Sequence, residues 1–167
     1  IPVILAITGV MATLGLVAVA SHIAPMDQAV AEVVLLVGMA VGVDYSLFYM
    51  RREREERAAG RDKQAAVEAA AATSGRSVLI SGLTVMVSMA GMYFAGDPTF
   101  TSFATGTILV VAVAVLGSLT VLPALLSLLG DRVMKGRVPL LATRREAGKD
   151  SRIWGVVLGA VTRHPWT

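Results

Sequence analysis

The chain of 167 residues has no cysteine, which removes disulfides, thiolate metal sites and thiol nucleophiles from the chemistry it offers. Charge is scarce too. Asp, Glu, Lys and Arg make up 16% of the residues, against about 25% in an average soluble domain. Aromatics reach only 5%. His22 and His164 stand alone at the margins of apolar runs, so neither a metal-ligating cluster nor a serine–histidine pair inside a membrane is on offer. No cofactor and no metal is expected.

What fills the chain instead is Ala, Val, Leu and Gly, with 55% hydrophobic residues and a mean hydropathy of +0.70. About 20 apolar residues in a row cross the hydrocarbon core as a helix. Four such runs occur, at about 1–21, 29–50, 77–95 and 102–129. The predicted class is an all-α membrane protein with four transmembrane helices.

The net charge of +3 does not point to nucleic acid, because the basic residues sit in blocks beside apolar runs. Of the fifteen Lys and Arg, seven lie within 51–76 and seven within 132–152; the loops 22–28 and 96–101 have none. Positive residues stay on the cytoplasmic side. Both ends of the segment and the 51–76 loop are therefore predicted to be cytoplasmic. That loop is rich in helix formers, and Glu53 stands four residues before Arg57 in the favourable order. It reads as an extension of the second helix, then, after Gly60, an amphipathic segment. Residues 130–152 read as a cytoplasmic linker broken by Gly130, Gly136 and Pro139, and 153–167 as the lead-in to a further membrane helix. Pro123, inside the fourth run, is expected to bend its helix. The chain opens inside one apolar run and closes at the start of another, as a piece of a longer protein would.

Against this background Asp44 stands out, in "VVLLVGMAVGVDYSLFYM". An ionised Asp at the centre of a membrane helix costs roughly 3 kcal/mol on insertion scales. Intramembrane carboxylates mark proton or ion pathways by default. Asp44 is followed by Tyr45, whose hydroxyl can donate to the carboxylate or extend a water chain. One stripe of the same helix carries Gly38, Gly42, Tyr45 and Tyr49; the two glycines form a small-xxx-small surface for close helix approach. On the third helix Ser77, Ser81, Thr84 and Ser88 form a polar stripe, expected to face Asp44 and Tyr45 on the second. An intramembrane aspartyl protease needs two such carboxylates, and only Asp44 lies deep in a span.

The succession "GVDYSLFYMRREREE", "SGRSVLISGLTV" and "LTVLPALLSLLGDR" resembles the MMPL family of the resistance–nodulation–division (RND) superfamily. The likeness covers about residues 29–132, with the first run fitting the preceding family helix. It implies membrane helices three to six of the first half of a transporter, the linker toward "VTRHPW" speaking against the second half. By the same resemblance the activity is proton-motive-force-driven export of lipids or other hydrophobic molecules across the cytoplasmic membrane. Asp44 and Tyr45 match the family's proton-relay pair. The implied partners are protons, the hydrophobic substrate, the bilayer and a second transporter half with a matching pair; a homo-oligomer is compatible with this. A lipid- or sterol-sensing bundle without proton coupling shares the helix arrangement and stays open as the alternative.

Overall fold

The computed structural model describes residues 2–135, with side chains up to residue 128. The chain divides into two units, Ile1–Gly130 and Asp131–Thr167, and the account below concerns the first. Helix α1 is Pro2–Ala20 and α2 is Val30–Ala58; α3, Lys63–Ala70, runs through a π-turn, Ala71–Gly75, into α4, Arg76–Ala90. A 3-10 turn, Gly91–Ala95, ends that rod; α5, Pro98–Leu116, passes through a second π-turn, Gly117–Val121, into α6, Leu122–Lys135. Four helical rods, Pro2–Ala20, Val30–Ala58, Lys63–Ala95 and Pro98–Leu128, are long and apolar enough to cross a membrane.

Local chemistry sets the ends. Asp62 accepts a hydrogen bond from the Ala65 amide at 2.7 Å and starts α3. Asp97 does the same for Thr99 at 2.7 Å, with Pro98 at the first turn of α5. Such caps satisfy amides that no helical carbonyl can reach. Gly60 (φ 89°) and Gly96 (φ 72°) take left-handed conformations just beyond a helix end, where a side chain would be strained.

The second helix extends to Ala58 and Gly60 divides the loop, so the cytoplasmic segment is helical on both sides of the break. At Gly130 the expected break is absent: α6 continues to Lys135. One glycine weakens a helix by only about 1 kcal/mol, too little to end it alone. The rest of the 130–152 linker, with Gly136 and Pro139, and the 153–167 lead-in lie outside the described residues. Around Pro123 the distortion is specific. The Leu122 amide donates to Gly117 O, five residues back, and the extra residue of the π-turn makes room for the proline ring.

α2 is the centre of the bundle, burying Val30, Val34, Gly38, Gly42, Ser46 and Tyr49 along one face. A Cβ on Gly38 would lie 2.6 Å from a methyl of Val10 on α1 and 2.6 Å from one of Val110 on α5. On Gly42 it would meet the Ala6 Cβ at 3.0 Å. The glycines thus let three helices meet at backbone distance, the packing membranes favour when apolar surface gains nothing from leaving lipid. One apolar core gathers Val10, Val30, Val34, Val78, Val110, Val111 and Val115; a second, toward the basic end, gathers Tyr49, Met50, Ala70, Leu122 and Leu126.

Beyond that second core the end of α2 is laced with ion pairs. Arg57 meets Glu53 at 2.9 Å, and Glu56 is shared by Arg52 (2.5 Å) and Arg61 (3.1 Å). Glu53 and Glu56 are buried, which four-residue spacing and opposite charge make tolerable.

Candidate functional site

Asp44 lies on the flank of α2 that neither α1 nor α5 covers, and it is exposed. Two turns along the same stripe, at 3.6 residues per turn, come Leu47, Phe48 and Arg51. α4 packs chiefly on α5 and leaves a gap toward α2. In that gap is a cavity of about 460 Å³ lined by Asp44, Tyr45, Leu47, Phe48, Arg51, Ser77, Val78 and Ser81. The closest approach of the two helices is at Gly82, whose Cβ position is 3.7 Å from the Tyr45 hydroxyl. A larger residue at 82 would fill the space that the phenol uses.

The α4 stripe is divided. Ser77 and Ser81 line the cavity with Asp44 and Tyr45. Thr84 and Ser88 are exposed and do not line it; their hydroxyls donate to their own helix, at Ile80 O (2.8 Å) and Thr84 O (2.9 Å). The residues that α4 buries are Val78 and Gly82, one position round from the stripe. The reason is steric: Gly82 admits Val115 and Val111 of α5, so this face, and not the hydroxyl stripe, becomes the seam. Ser and Thr can then satisfy themselves on i−4 carbonyls without any partner.

Gly38 and Gly42 stand at the α1–α2–α5 crossing described above. Tyr49, on the same stripe as Tyr45, does not reach the cavity. It is fully buried, and its hydroxyl donates to Val67 O at 3.1 Å, holding α3 to α2. Arg51 was not singled out by sequence reasoning, yet it forms the mouth of the cavity, where its Nε meets Glu55 at 3.0 Å. Its position seven residues from Asp44, on the same face, was the available signal.

Asp44 itself forms no ion pair or hydrogen bond among the described residues. The ensemble is therefore a carboxylate with a phenol beside it, two hydroxyls across a gap, and a guanidinium toward the basic end. Such a set can take up a proton, share it through hydroxyls or water, and release it. No group of three or more His, Asp or Glu suited to a metal occurs among the described residues.

The model of the MMPL family matches residues 1–167. The chain belongs to the MMPL family. Among curated relatives of this MMPL segment, the mycolic acid-containing lipids exporter MmpL11 of Mycolicibacterium smegmatis is 46% identical over 166 residues, 99% of this chain and 17% of the relative. MmpL11 of Mycobacterium tuberculosis, named a heme uptake protein, is 43% identical over the same share of both chains. The trehalose monomycolate exporter MmpL3 of Mycolicibacterium smegmatis is 33% identical over 133 residues, 80% of this chain and 13% of its own length. The chain thus spans 17% of the length of its first relatives.

Proposed function

We infer that this MMPL segment belongs to a secondary active transporter of the cytoplasmic membrane that exports lipids, driven by the proton-motive force. In it Asp44 and Tyr45 supply one half of the proton relay. The observation that carries this is Asp44, unpaired and exposed in a cavity shared with Tyr45, Ser77 and Ser81. A carboxylate in that position is costly against acyl chains. Facing a second transporter half and a hydrated gap, it becomes a group whose charge can change. One proton crossing 100 mV supplies about 2.3 kcal/mol from the electrical term alone. The lipid substrate is supported by relatives named as exporters of mycolic acid-containing lipids and trehalose monomycolate.

The test is Asp44→Asn in the intact transporter, reconstituted in vesicles with an imposed proton gradient. The amide keeps the shape and removes the titratable group, so the protein is expected to insert and fold normally while gradient-driven lipid export stops. Normal gradient-driven export by the variant would refute the relay. The assay includes a heme arm, since one relative is named for heme uptake. Lipid release that ignores the gradient in the wild type would favour the sensing-type bundle instead.

A further inference from the structure

The two apolar cores are separated by a polar layer. Along α2, Ser46 lies between Val34 of the first core and Tyr49 of the second; Ser74 lies between Val78 and Ala70; Ser118 lies between Val115 and Leu122. All three serines are buried. Two of them sit in the π-turns, Ala71–Gly75 and Gly117–Val121. The turns touch, since a Cβ on Gly75 would meet Leu119 at 3.1 Å.

Ser46 donates to Gly42 O at 2.7 Å. Ser118 differs: its hydroxyl is 2% exposed as a residue and has no hydrogen-bond partner among the described residues. Its carbonyl is deprived as well. In an α-helix the Leu122 amide would serve it, but that amide donates to Gly117 O. The next donor along would be residue 123, which is proline and has no N–H. One residue therefore presents a buried hydroxyl and a backbone carbonyl, both without their usual partners. Leaving such groups unmet costs about 1–3 kcal/mol each, and native proteins meet that need with ordered water where no protein group reaches.

There is room for it. A 310 Å³ groove among α1, α2 and α5 borders the same turn, lined in part by Gly42, Ala114, Gly117 and Thr120. A Cβ on Gly117 would meet no atom within 4 Å. The helix register adds a further polar group. α2 and α5 are parallel, and Gly106 meets Val34 while Val110 meets Gly38; two further four-residue steps set Ser118 level with Ser46.

We propose that Ser118 binds an internal water molecule at the π-turn between α5 and α6, held by its hydroxyl and its carbonyl. The water completes the backbone hydrogen bonding that Pro123 interrupts and fills the polar layer between the two cores. This site is separate from the Asp44 cavity and stands whether or not Asp44 carries protons.

The experiment is electron cryomicroscopy of the intact transporter in lipid nanodiscs, at a resolution that shows other ordered waters. Density is expected about 3 Å from both Ser118 oxygens. Ser118→Ala removes one ligand, and Pro123→Ala restores an N–H to the turn; each is expected to abolish the density while the rods stay in place. Wild-type maps with no density at Ser118, or with its hydroxyl bonded to another protein group, would overturn the proposal. So would water that persists unchanged in both variants.

Discussion

Replacing Gly38 by alanine adds a single methyl group where α1, α2 and α5 cross. Its Cβ would stand 2.6 Å from Val10 Cγ2 and 2.6 Å from Val110 Cγ2. Carbon atoms prefer about 3.5–4.0 Å, so each contact must open by about 1 Å. The two valines lie on different helices, and moving α2 away from one drives it into the other. Rotating them is also costly, because valine in a helix keeps essentially one rotamer. Overpacking of this kind costs about 1–3 kcal/mol. The better helix propensity of alanine returns up to about 1 kcal/mol, which leaves a net loss of about 1–2 kcal/mol. Gly15 is the control, since a Cβ there meets nothing within 4 Å; Gly15→Ala should be neutral or slightly stabilising. Reversible unfolding in mixed micelles, with both variants and the wild type side by side, gives the difference. Val10→Ala alone should rescue Gly38→Ala only in part, because Val110 still blocks the other side. The reasoning is refuted if Gly38→Ala is as stable as Gly15→Ala.

Ser81→Leu should sharply reduce gradient-driven transport by filling the Asp44 cavity, whereas Ser88→Leu, on an exposed position outside that cavity, should transport nearly as the wild type; equal losses would break the distinction. Tyr49→Phe removes the hydrogen bond to Val67 O and should destabilise by about 1 kcal/mol, with faster hydrogen exchange in α3; unchanged exchange there would show that the bond does not hold α3 down. Cysteines replacing Asp27 or Asp97 are expected to react with an impermeant thiol reagent added to intact cells. A cysteine replacing Arg57 is expected not to react, and its labelling would reverse the topology.

The spans were legible because they rest on a one-dimensional property. Long apolar runs must form helices in lipid, where every backbone group needs an internal partner, and all four rods fall on the runs read from composition. The helical cytoplasmic extension was legible from its helix formers and the spacing of Glu53 and Arg57. Asp44 and Tyr45 could be picked out because a carboxylate in an apolar run is conspicuous without any structure.

Which faces meet was a different matter. The Ser77–Ser88 stripe has the right period for a seam, yet Gly82, one position away, decides where α4 packs, because close approach depends on the absence of a side chain and on Val111 and Val115 being opposite it. Periodicity gives the faces of one helix; it does not say which face a neighbour chooses. The same limit hid Arg51, whose place at the cavity mouth follows from the gap between α2 and α4. The π-turn before Pro123 was likewise decided in three dimensions. A proline announces that one hydrogen bond is missing, but only the packed helix determines which carbonyl goes without, and here it is that of buried Ser118.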